Sequence, residues 1–203
     1  MQLLAFVLRM HGNELRKAGH PAAAVARLQQ ALRIDGDPVR GNDALVLLAR
    51  AAAAAGRAVL FDEVTGQCLR ALDIAAGQDA LLSAFTVREV RLRGLLATDR
   101  LAAAVALAAH DPTDIAPPSP QWHVIERITS ADVLSQTGDK SAANDMLSGA
   151  VSDAETLRLP HQVQRVIRMT CRPGVLADPA VSEQARSALS RLSTQLVSAV
   201  GVN

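Results

Sequence analysis

A helix that ends at glycine, followed by Ala-x3-Leu-x2-Ala, recurs four times along the chain. It is clearest in Gly12-x2-Leu15-x3-Gly19-x4-Ala24-x3-Leu28-x2-Ala31 and in Ala131-x2-Leu134-x3-Gly138-x4-Ala143-x3-Leu147-x2-Ala150. A unit this small cannot bury its apolar face alone, so the pattern predicts helical hairpins stacked one on the next. Such stacks hold partners along a groove. No segment sustains a period-two alternation, so the expected fold class is all-α, about ten helices in about five hairpins.

Proline, glycine and aspartate set the expected boundaries. Helices near 2–18 and 21–34 meet at Gly19, with Pro21 in the first turn of the second. After Gly36-Asp37-Pro38, helices near 41–55 and 58–74 meet at Gly56. After Gly77-Gln78-Asp79, with Asp79 as N-cap, helices near 80–97 and 99–110 turn at Thr98-Asp99. The proline-rich stretch Asp111 to Pro120 reads as a stiff loop before helices near 121–137 and 140–157, which turn at Gly138-Asp139. Pro160 opens a ninth helix that ends near Cys171, Arg172-Pro173-Gly174 stops it, and Asp178-Pro179 starts a last helix near 179–199. That helix carries the apolar stripe Val181, Ala185, Ala188, Leu189, Leu192, Leu196 and is read as a C-terminal cap. Residues 1–174 are thus expected to be repeats and 175–203 the cap, in one continuous domain.

Composition narrows the function classes. At 49% hydrophobic and 20% charged, the 203 residues are too apolar for disorder and too regularly charged for a membrane span. No basic leader precedes the first apolar run, so the expectation is a cytoplasmic chain without a signal peptide. Its 38 alanines favour helix and close helix approach, but each anchors far less than the ~1.5–3 kcal/mol of a buried Leu or Phe. Net charge is +1, and there are one Trp, three Phe and no Tyr. A nucleic-acid groove needs many phosphate partners and stacking aromatics, so direct nucleic-acid binding is not expected. Cys68 and Cys171 belong to no paired motif and read as free, buried or half-buried thiols.

These residues resemble the tetratricopeptide repeat family, in which a small residue lies midway along the first helix and two more lie on the second. Gly12, Ala24 and Ala31 fit, as do Ala131, Ala143 and Ala150. The second hairpin matches through Ala49 and Gly56 but has Phe61 and Cys68 where alanines are expected, and the third has Ala103, Leu107 and His110, with a poor fit at Arg91. The resemblance covers about residues 5–157 and implies an α-solenoid with a right-handed superhelical course. Leu60-Phe61-Asp62-Glu63-Val64, Pro120-Gln-Trp122-His-Val-Ile-Glu-Arg127 and Leu159-Pro-His-Gln-Val-Gln-Arg165 are also similar to the repeat region of actinobacterial helix-turn-helix regulators of the XRE type. The residues that read DNA in those regulators lie in a domain that precedes the repeats and are not expected among these residues, so their DNA binding is not carried over.

The repeat register places the first helix of each hairpin on the concave face. Candidate partner-binding residues are Arg9, Asn13 and Arg16 in the first hairpin, Arg50 in the second and Arg88 in the third. Trp122, His123, Asp132 and Gln136 are those of the fourth. Asp43, Val46, Phe85, Leu92, Ile125 and Ile128 are expected to line the same face. Arg9 with Asn13 is similar to the basic-plus-amide pair with which some tetratricopeptide proteins hold a peptide carboxylate. Arg50, with Arg88, Arg91 and Arg93, could hold an anion or be paired with carboxylates such as Glu89. None of the five histidines has a second ligand at helical spacing, and there is no phosphate loop or nucleophile elbow. No metal, cofactor or catalytic residue is expected. The leading expectation is a regulatory sensor or adaptor that binds a protein, peptide or small effector. The alternatives are a small enzyme using His123 or His161 as an acid–base group, or a dimerisation unit built on the terminal helix.

Overall fold

A computed structural model describes residues 2–35, 42–75, 82–109, 119–172 and 178–200. Among the described residues the chain is all-helical: α1 Gln2–Lys17, α2 Pro21–Asp35, α3 Asn42–Ala54, α4 Ala58–Ala75, α5 Ala84–Ala97, α6 Leu101–Ala109, α7 Pro120–Thr137, α8 Lys140–Thr156, α9 Pro160–Thr170 and α10 Pro179–Val200. The expected breaks at Gly36-Asp37-Pro38 and Gly77-Gln78-Asp79, His110 with the loop from Asp111 to Pro118, and Pro173-Gly174 lie outside the described residues. None of the described helices is long and apolar enough to cross a membrane.

Most of the helix starts follow the expected chemistry. Prolines occupy the first helical turn of α2, α7, α9 and α10, where the missing N–H costs nothing. Asp139 accepts from the Ala142 amide at 3.1 Å, and Asp178 from the Ala180 amide at 2.8 Å. The fifth helix differs: Ser83 caps it, accepting from the Thr86 amide at 3.1 Å, so it begins at Ala84 rather than near residue 80.

The repeated turn is a single backbone device. Gly19, Gly56, Asp99, Gly138 and Arg158 all take left-handed backbone angles. Each is followed by an amide that donates back over the turn: His20 to the Leu15 carbonyl, Arg57 to Ala52, Arg100 to Leu95, Asp139 to Leu134 and Leu159 to Ala154. This is the Schellman closure, which satisfies carbonyls that a helix end leaves open. A common step forward from these residues reaches Ala24, Phe61, Ala104, Ala143 and Val163, all buried. A common step back reaches Gly12, Ala49, Leu92, Ala131 and Val151, all buried as well. The third hairpin therefore runs one residue out of the expected register. Because Asp99 takes the left-handed position, Ala104 is buried and Ala103 is exposed.

The chain forms two compact units, residues 1–118 and 119–203. In the first, α3 is the central helix and packs against α1, α2, α4 and α5. Ala44–Ala49 and Ala51–Ala53 are all buried, and from Leu45 onward they join Val25, Leu28, Phe61, Val64, Cys68, Val87 and Val90 in one core. The close approach is literal at Gly94, where a β-carbon would meet the Phe61 ring at 2.1 Å. In the second unit, α10 packs on α8 and α9, and Val181, Ala185, Ala188 and Leu192 enter its core. The described part of the terminal stripe is thus used within its own unit, while the Leu196 side chain lies outside the described residues.

Candidate functional site

Arg50 is the one charged residue inside the buried run of α3, and its side chain is 14% exposed. A guanidinium so placed must find compensation, because desolvating an unpaired charge is prohibitive. Its Nη2 reaches Glu89 Oε2 on α5 at 3.4 Å. Glu89 is itself 3% exposed and also faces Arg93 Nε at 3.5 Å, one turn along α5. From α1 comes Arg16, whose Nη2 donates to Asn13 Oδ1 at 3.0 Å and whose buried Nε has no hydrogen-bond acceptor. Burial first, then the Arg50 and Arg93 guanidiniums, pull Arg16 down from its ordinary value to about 9, against attraction from Glu89 and Glu14. Arg50 is also lowered, by burial above all, with Glu89 pulling the other way. Three guanidiniums from α1, α3 and α5 thus share one neighbourhood with the buried Glu89 carboxylate.

The remaining candidates of this unit have other engagements. Arg9 donates from Nη1 to Asp43 Oδ2 at 2.9 Å and lies 5.3 Å from the Phe6 ring centroid. The amide partner of Asn13 is therefore Arg16, not Arg9. Arg88 Nη2 donates to the Ala108 carbonyl at 3.4 Å. Val46, Phe85 and Leu92, expected on the groove lining, are buried core residues. Val46 lies one turn from Arg50 on the same face of α3, and that face is buried.

In the second unit Asp132 accepts two bonds from Arg172, at 3.2 and 2.9 Å, and one from Gln136 Nε2 at 2.9 Å. Trp122 is 8% exposed and sits among the packed side chains of α7, beside exposed His123. Ile125 and Ile128 are buried. Arg165 donates to the Ile125 carbonyl at 3.2 Å and to the Thr129 hydroxyl at 2.7 Å. His161 is exposed and contacts Gln121 at 3.4 Å. Sequence reasoning missed the partners Arg172 and Arg165. Their signal is a separation of 40 residues from Asp132 and Ile125, close to one repeat.

Among the described residues no group of three or more His, Cys, Asp or Glu side chains could hold a metal ion. Cys68 is buried, and its thiol is pushed up to about 12 by burial, whereas Cys171 is exposed at the end of α9. No protein-family model matches the chain, no curated protein matches it, and no solved structure matches it.

Proposed function

We propose that this chain is a recognition module of stacked helical hairpins of the tetratricopeptide type. The stack follows a right-handed superhelical course closed by α10, and it binds a protein, peptide or small effector on the face formed by first helices. The proposal extends to a cytoplasmic regulatory or adaptor role akin to the repeat region of helix-turn-helix regulators, without direct contact to nucleic acid. Two regularities support the repeat reading: the recurring left-handed turn with its buried flanking positions, and polar bonds between hairpins that span 34 to 40 residues. Bonds of that reach join equivalent helices of neighbouring repeats, as a quasi-one-dimensional stack requires.

The observation that carries the binding role is the alignment of α1, α3 and α5. Each packs on the next, and their charged side chains meet between them, Arg9 with Asp43 and Arg50 with Glu89. The test is a screen of peptide and metabolite libraries against the isotope-labelled full chain, with amide shift changes mapped onto the helices. Hits that perturb α1, α3 and α5 support the reading. Hits confined to α2 and α4, or none across both libraries, overturn it.

A further inference from the structure

The buried charge on these first helices points to a definite ligand chemistry. Arg16 is the decisive side chain. It feels the like charges of Arg50 and Arg93, its Nη2 partner is the neutral Asn13 amide, and its Nε donor is buried without an acceptor. The nearby Glu14 carboxylate is engaged by Lys17 at 2.7 Å. Arg93 Nε stands 3.5 Å from Glu89 Oε1, and 29% of the Arg93 side chain is exposed to solvent. A forked, weakly hydrated guanidinium matches the geometry of a carboxylate or phosphate, and a second cation beside it multiplies the attraction where water is scarce. A structure that gathers cations around one carboxylate gives up stability in the absence of ligand, and binding of an anion would offset that loss.

We propose that Arg16, Arg50 and Arg93 form a binding site for a compact oxyanion, the carboxylate or phosphate group of a ligand. In this site Arg16 Nε and the Arg93 guanidinium are the leading donors, and Glu89 holds Arg50 in place. The proposal rests on the binding face described above and names the chemistry it selects. Arg9 is outside the site, because Asp43 already satisfies it.

The test is thermal melting of the full chain in sodium chloride, inorganic phosphate or N-acetylglycine at equal ionic strength and pH 7. An oxyanion at ten times its dissociation constant should raise the midpoint by about 3 °C. Phosphate and N-acetylglycine separate the two anion types, since the better ligand acts at the lower concentration. Arg16→Gln and Arg93→Gln should each lose the rise, while Lys17→Gln keeps it. Arg16→Gln should melt no lower than wild type in chloride, since it relieves repulsion. If either glutamine variant fails to fold, nitrogen-15 shifts of the arginine Nε groups in the wild-type chain read the same event. Equal rises in wild type and both variants, or no rise with either anion, overturn the oxyanion site. If library hits still map to α1, α3 and α5 in that case, the binding face survives and only its ligand chemistry is wrong.

Discussion

In α7 to α10, arginines that bridge helices meet an acceptor of their own. Arg172 meets Asp132, Arg191 meets Glu155, Arg127 meets Asp153, and Arg165 meets a carbonyl and a hydroxyl. In α1 to α5 Arg9 likewise meets Asp43, but Arg50 and Arg93 share Glu89, while Arg16 is held by an amide. The turn and the small-residue packing are the same in both units, so the repeat architecture does not require the crowding. Matched pairs at half-exposed positions add little stability, and little is at stake in them. Buried, unevenly matched cations are costly, and a fold keeps them where they do something else. The proposed oxyanion site lies in the first unit, and the matched arginines of the second serve as its control.

The largest effect should come from Glu89. Glu89→Ala leaves the largely buried Arg50 and the half-buried Arg93 without their shared carboxylate and should cost about 3–5 kcal/mol in urea unfolding. Glu155→Gln in the second unit should leave the urea midpoint where it is, since that pair is exposed. Comparable losses at both sites would erase the contrast between the units.

Glycine packing offers the next contrast. Gly94→Ala drives a methyl group into the Phe61 ring and should cost about 1–3 kcal/mol. Gly149→Ala meets the flexible end of Arg127, 3.1 Å away, and should stabilise α8 by about 0.5–1 kcal/mol. Differential scanning calorimetry on the two variants checks both signs, and a destabilised Gly149→Ala would show that the second unit is packed as tightly there as the first.

Arg16→Met should stabilise by about 1 kcal/mol at pH 7, because it removes a charge held among like charges. Arg172→Met should destabilise, because Asp132 loses its bidentate partner. The pH dependence gives a sharper reading. Burial, then the Arg50 and Arg93 guanidiniums, hold folded Arg16 down to about 9, well below its unfolded value, so its penalty is fully present below about 9 and is relieved as pH rises above that. Stability of the wild type should therefore climb through pH 9 to 11 relative to Arg16→Met. Parallel pH profiles would remove the case for a crowded Arg16.

The smallest effects concern the turns. Asp99 and Arg158 hold left-handed backbone angles, φ 57 and 54°, that favour glycine. Replacing either with glycine should raise stability by about 0.5–1 kcal/mol. Asp99→Gly should gain less, because aspartate tolerates this region better than arginine does. Chemical denaturation of the paired variants measures the difference between the two units directly.

Much of the fold is legible in the amino-acid sequence. Gly19, Gly56 and Gly138 stop helices, and Pro21, Pro160 and Pro179 start them, because these residues act through the backbone within one turn. The third hairpin reads one residue out of register because Asp99 takes the place of glycine there, and an aspartate signals a left-handed angle far more weakly than glycine does. The site is legible in part. Arg16 and Arg50 stand out as candidates in the repeat register, with Arg93 and Glu89 as neighbours in an arginine-rich stretch. The pairing of Arg9 with Asp43, and the burial of Val46, Phe85 and Leu92, are not readable there. Each depends on the rotation of one helix against another, which a one-dimensional pattern leaves open.

Sequence alone determined that this chain is a series of short helices closed by a repeated turn, since helix ends and apolar periodicity are local properties. Tertiary structure alone decided which arginines converge. α3 is surrounded by four helices, so Arg50, the one charged side chain within its buried run, must leave the core in the direction that α5 offers. Arg16 and Arg93 are drawn into that place by packing between helices remote in sequence, and that packing separates a cluster of charge from a scatter of exposed basic residues.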